Sequence, residues 1–269
     1  MHTLPEGEPV RGVTSLAEEV YVLRQKERDQ VEVYDVVNYG LQRRLTVPNI
    51  RGFVDMTSCE HYRCVYIANN NDNCIIGLDA DAQSAGTWWC VNDQPVGLSV
   101  NAAHNLLVTC TVVHKIKEFS SRGVLVRELT FPDGIISPWH AMQLTNDQLI
   151  VCHGDPGDAV HRVGKVSADG RDVIKSHGGQ GGSDIGQYDV PDHLAVDNNE
   201  FVFVVDVNKQ RVTLLSPTLD YIRQVVSRDD LKWWPLRLCL DIQTRRLYVT
   251  DNEWKIDKFT AGRVVVFSI

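Results

Sequence analysis

Short apolar runs alternate with polar turns along the whole chain. A representative stretch reads Leu194-Ala195-Val196, then the turn formers Asp197-Asn198-Asn199, then Phe201-Val202-Phe203-Val204-Val205, then Asp206-Val207-Asn208-Lys209-Gln210. Arg211-Val212-Thr213-Leu214-Leu215 follows, and Ser216-Pro217 leads into a fourth run over Tyr221 to Val226. Runs of this length, rich in Val, Ile, Leu and Tyr and bounded by Asn, Asp, Gly and Pro, predict strands joined as hairpins. No segment sustains the period of an amphipathic helix over several turns. The chain is predicted to be all-β.

The pattern repeats. Pro9, Pro95, Pro138 and Pro191 each precede an apolar segment, a polar turn and a second apolar segment, which ends fifteen residues on at Arg24, Cys110, His153 and Asp206. Pro235 reaches Asp251 with one residue more, and Pro48 reaches Asn69 past a longer polar hairpin, Thr57 to Arg63. These ends recur every 41 to 53 residues, so six units of about 45 residues account for the chain of 269. Six units of four antiparallel strands predict a six-bladed β-propeller, a single domain over residues 1–269. The blades are expected at about 9–47, 48–94, 95–137, 138–190, 191–234 and 235–269. Their inner strands read as continuous apolar runs because each blade is covered on both faces. The widest spacing holds the glycine-rich insertion Ser176-His177-Gly178-Gly179-Gln180-Gly181-Gly182-Ser183. The last unit stops after its third strand, Arg263 to Ile269, which leaves residues 1–8 as the spare segment for a closing strand.

The linker from Ser176 to Gly181 and on through Gly186-Gln187-Tyr188-Asp189-Val190-Pro191, running into Asp192-His193-Leu194-Ala195-Val196-Asp197, resembles the NHL repeat. So does Val204-Val205-Asp206-Val207-Asn208-Lys209-Gln210-Arg211-Val212, and blade six matches at Leu247-Tyr248-Val249-Thr250-Asp251-Asn252. Blades one to four keep the spacing but carry Arg24, Asn69, Cys110 and His153 where the repeat has Asp. The resemblance implies a propeller similar to those that end tripartite-motif ubiquitin ligases and Brat-like translational repressors. It therefore implies a protein-binding scaffold that could serve as the substrate-recognition part of a larger ubiquitin-ligase-type protein, with RNA binding of the Brat type as the alternative. No RING, B-box or coiled coil lies in these 269 residues. Asp206 and Asp251, at strand ends, are expected to accept backbone N–H bonds from their turns.

Composition narrows the classes. Asp and Glu number 35 against 27 Lys and Arg, a formal charge of −8, which excludes a general nucleic-acid coat and leaves no expectation of DNA binding. The longest apolar runs are far too short for a bilayer helix, and Met1 to Glu6 has neither the basic flank nor the apolar stretch of a signal peptide. A soluble, cytoplasmic protein without membrane contact is expected. The seven cysteines, odd in number and without CxxC spacing, read as buried thiols acting as small hydrophobes.

Propeller ligands generally bind where inner strands begin. The residue two after each repeat proline is predicted there: Arg11, Gly97, His140, His193 and Arg237, with Arg51 as the counterpart in blade two. Trp139 and Trp234 adjoin repeat prolines, and Arg beside exposed aromatic rings is the composition of a binding hot spot. This predicts a binding mouth of Arg11, Arg51, Trp139, His140, His193, Trp234 and Arg237, with no catalytic residue and no cofactor. In the RNA alternative Arg11, Arg51 and Arg237 hold phosphates while a tryptophan stacks. A third alternative is a metal-dependent lactonase-like hydrolase, for which Glu8 and Asp192 fit two of three ligand positions. The third is Trp139, which offers no oxygen to a hard cation, so no metal set is complete. A zinc lyase would need about three converging histidines, and only His140 and His193 occupy equivalent places.

Overall fold

The apolar runs form strands, and the polar stretches between them form the turns. In a computed structural model, which describes residues 1–25, 30–47, 50, 55–182, 184 and 186–269, a short β1 (His2–Thr3) precedes β2 (Val10–Leu16), β3 (Glu19–Arg24), β4 (Gln30–Asp35) and β5 (Leu41–Thr46). Next come β6 (Met56–Cys59), β7 (Cys64–Asn69), β8 (Cys74–Asp79), β9 (Ser84–Cys90), β10 (Gly97–Val100), β11 (Leu106–Cys110), β12 (Lys115–Phe119) and β13 (Leu125–Thr130). They are followed by β14 (Pro138–Gln143), β15 (Leu149–His153), β16 (Val160–Val166), β17 (Val173–Gln180), β18 (Pro191–Val196), β19 (Val202–Asp206), β20 (Arg211–Leu215) and β21 (Tyr221–Val226). The chain ends with β22 (Trp234–Asp241), β23 (Arg246–Lys255) and β24 (Lys258–Ser268). These strands make six sheets of four, each antiparallel, which is the construction of a six-bladed β-propeller. Helix is confined, among the described residues, to one 3-10 turn at Arg228–Asp230, and no helix is long and apolar enough to cross a membrane.

Within each sheet, burial follows strand position. Every residue of β7, β11, β15 and β19 is buried, whereas β5, β13 and β17 are mostly exposed. The second strand of a blade is covered on both faces and so cannot alternate; the outermost strand meets water and so can be polar. The turns are specific as well. Asn73, His114 and Gln210 each close a four-residue turn between second and third strands with φ of 52, 52 and 50°. Those angles let the strands return with native twist at positions where Asn is among the tolerated side chains.

The chain divides into two compact units. One comprises Met1–Leu98 and Lys232–Ile269, the other Ser99–Leu231. In the first, Tyr21, Leu23, Val31 and Val33 pack against Val65, Ile67, Ile76 and Leu78. In the second, Ile150, Cys152 and Val163 pack with Leu194, Val202 and Val204. Each such side chain, fully buried, contributes about 1.5–3 kcal/mol. Five of the seven cysteines (Cys59, Cys64, Cys74, Cys110 and Cys152) are buried, while Cys90 is exposed.

In the first unit the N-terminal segment completes the last sheet. β1 pairs with β24 through His2↔Val266 and Thr3↔Val265, the Leu4 N–H donates to the Val264 carbonyl, and Gly7 exchanges both backbone bonds with Gly262. Arg24 ties this segment down. Its guanidinium donates to the carbonyls of Pro5 (2.6 Å), Glu8 (2.9 Å) and Gly262 (3.0 Å) and to the Glu32 carboxylate (2.6 Å). Where the repeat pattern has a strand-end Asp, blade one uses the opposite charge to hold the closing strand.

Candidate functional site

The first strands of four sheets start with a shared irregularity. Pro138 pairs with His153 and His140 with Cys152, which leaves Trp139 as an extra residue. Pro191 pairs with Asp206 and His193 with Val205, with Asp192 extra. Val10 pairs with Arg24 and Gly12 with Leu23, with Arg11 extra, and the same shift falls between Pro235 and Leu238. Bulges of this kind re-aim side chains and recur next to functional sites. Counting from Pro9 predicts Arg11 level with His140 and His193; the register matches it with Trp139 and Asp192 instead, because Val10 faces the strand end that Pro138 and Pro191 face in their own sheets.

In the unit 99–231 the bulges bring His140 and His193 together. Their rings stack at 3.9 Å with 24° between planes, and the two residues are 2% and 6% exposed. Trp139 is half-buried and packs at the edge of the Leu194 core, while Asp192 is buried. His153, at the end of β15, is also buried; loss of water, with Arg162 nearby, pulls its pKa down to about 4.

In the other unit Arg237 is buried and pairs with Asp55, Nε to Oδ1 3.4 Å. The other Asp55 oxygen accepts the Leu98 N–H at 2.8 Å. Arg237, His140 and His193, all predicted at the binding mouth, are buried. A buried guanidinium needs a counter-ion, and Asp55, which the sequence reading did not single out, supplies it. Arg51 lies outside the described residues, as does the repeat proline Pro48. Trp234 is half-buried at the start of β22, and Gly97 starts β10. Glu8 is exposed, and its carbonyl serves Arg24.

Asp206 and Asp251 take their backbone donors from the incoming linker and not from the following turn. Asp206 accepts the Asp189 N–H and pairs with Arg211. Asp251 accepts the N–H groups of Lys232 and Trp233 and pairs with Arg263. Both carboxylates lock a linker to its blade.

Arg11 belongs to a different constellation. β23 and β24, ten and eleven residues long, exceed their counterparts of five to seven residues in other sheets, so their hairpin projects. The projection ends in a two-residue turn, Ile256–Asp257, with φ of 47 and 59°. Ile256 is 92% exposed and Trp254 45%. Trp254 meets Phe259 edge-on at 4.7 Å, and the Arg11 guanidinium carbon sits 4.9 Å above the Phe259 ring. Arg11, Phe259 and Trp254 thus form a continuous ladder that leads out to Ile256. Glu253, half-buried beside it, binds Lys255 and the Thr260 hydroxyl, and these hold its carboxyl below the usual range. The sequence reading missed Trp254, Ile256 and Phe259. The available signal was an apolar β-branched residue at a turn where Asn-Gly would be ordinary.

No protein-family profile and no curated protein matches the chain. Solved structures do. The chain is similar to hydrazine synthase of Kuenenia stuttgartiensis, with 13% identity, coverage of 100% of this chain and 98% of that one, and a TM-score of 0.67. It is similar to a streptogramin B lyase at 12% identity, 98% coverage of each chain and a TM-score of 0.64. The PQQ-bound aldose sugar dehydrogenase of Streptomyces coelicolor gives 10% identity, coverage of 99% and 97%, and a TM-score of 0.68. At such identities the likeness is one of fold, and the fold is the six-bladed propeller.

Proposed function

We propose that the chain is a non-enzymatic recognition propeller of the NHL type, cytoplasmic, that binds a protein partner through the blade-six hairpin. The observation that carries this reading is Ile256. A β-branched side chain at positive φ is unfavourable, and exposing it to water gains nothing for the fold. Asn-Gly would make the same turn without strain. A strained, water-exposed isoleucine beside an arginine–aromatic ladder has the composition of an interface anchor, where Trp and Arg dominate binding energy. The reading shifts the predicted contact surface from the mouth residues to the hairpin and retains Arg11 in it. The NHL assignment rests on the blade-five pattern, and the Asp206–Arg211 pair gives those residues a shared structural task.

The RNA alternative loses one of its three phosphate ligands, since Arg237 is committed to Asp55. Affinity capture with the wild-type chain and with Trp254→Ala separates the two. Under the protein reading the same partner proteins are recovered in both, with affinity lowered by about 1–3 kcal/mol in the variant. Single-stranded RNA binding with a log–log salt slope of about −1.4, as the two remaining arginine–phosphate contacts would give, would replace this reading.

A further inference from the structure

We propose that His140 and His193 form a transition-metal site in the unit 99–231, one that takes a borderline divalent ion such as zinc or copper(II). This inference is independent of the hairpin reading. The bulges at Trp139 and Asp192 set the two histidines at the same register position of neighbouring sheets, against Cys152 and Val205. Their rings stack at 3.9 Å, and a nitrogen of each lies within 4.8 Å of the other. Two Zn–N bonds of about 2.0–2.1 Å span up to about 4.2 Å, and rings stacked at 3.9 Å bring their atoms within that reach. Imidazole is a good ligand for zinc, copper and nickel and a poor one for magnesium and calcium.

Burial strengthens the case. Two stacked histidines bring four ring nitrogens into a place nearly closed to water, a demand that an apolar pair at these bulges would not make. Such placement is expected of ligands that share an ion. Solvent or a further side chain completes the coordination.

The test uses the full chain and the metal alone. Zinc is titrated into the wild-type protein against a chromogenic chelator, and the titration is repeated with His140→Ala, His193→Ala, the double variant and Cys90→Ser. The proposal predicts one equivalent bound, affinity lowered about tenfold or more in each histidine variant, and no change in Cys90→Ser, whose thiol is exposed. A second readout does not depend on the variants folding. In copper(II)-loaded wild-type protein, electron paramagnetic resonance should resolve coupling to two imidazole nitrogens. The proposal is overturned if the folded wild type binds no equivalent of zinc, if the folded double variant keeps it, or if the copper signal shows no nitrogen coupling.

Discussion

At the residue scale, burial decides what each charged side chain can do. Arg24 is 2% exposed and Glu32 5%. Burial raises the Glu32 pKa, but hydrogen bonds from Arg24 and Tyr34 outweigh it and hold the carboxyl below its ordinary range. Arg24→Met would leave the buried Glu32 carboxylate to Tyr34 and the half-exposed Arg44, and would release the Pro5, Glu8 and Gly262 carbonyls, at a cost of about 3–5 kcal/mol. Urea midpoints of that variant and of Arg24→Met/Glu32→Met check this, and the double variant should recover the part of the loss that belongs to the buried carboxylate. His153 gives a pH signature. Its folded pKa of about 4 lies below the ordinary 6.5, so the unfolded chain binds the extra proton first. Its contribution is therefore intact above about pH 6.5 and is lost as pH falls toward 4, by about 3 kcal/mol in full. His153→Phe should flatten the wild-type decline in urea midpoint between pH 7 and 4.5; an unchanged decline would place the effect elsewhere. Arg237 shows what sequence cannot carry at this scale. Its position after a repeat proline is legible, but the Asp55 that buries it comes from a remote part of the chain.

At the element scale, most of the strand pattern is legible because the cause is local. Phe201 to Val205 is apolar throughout because β19 is covered on both faces, and the turn after it ends at Gln210 in the left-handed region, as in two other sheets. Counting from prolines fails in blade one for a physical reason. Register is fixed by cross-strand pairing, and Val10 takes the paired position that proline fills elsewhere. The length of the β23–β24 hairpin was not legible either, since Trp254 to Phe259 mixes apolar and charged residues as any exposed segment does. β1 gives a test at this scale. Deleting residues 1–8 removes the partner of β24 and the acceptors of Arg24, and it leaves a long unpaired edge whose Val264, Val265 and Val266 are otherwise buried. Such an edge templates pairing with another chain. The truncated protein should unfold at lower urea and self-associate in sedimentation, whereas an unchanged midpoint with a monomer would mean that β1 is dispensable.

At the scale of the whole molecule, the six-fold repetition was readable from spacing alone, and neighbours at 10–13% identity share it. Function was not readable in the same way. A propeller presents many loops on one scaffold, and the same fold carries lyases and dehydrogenases among the solved structures. Among the described residues, the blade-six hairpin sets a β-branched side chain at positive φ out in water, whereas Val190, also at positive φ, is buried. The most direct measurement replaces that turn with the residues its backbone favours, Ile256→Asn together with Asp257→Gly, and follows thermal stability and partner capture in the same protein. Relief of strain should leave the melting temperature equal or higher, by up to about 1 kcal/mol of stability, while the proteins captured by the wild type are lost. Capture that persists at wild-type strength in the stabilised variant would contradict the hairpin as the recognition element.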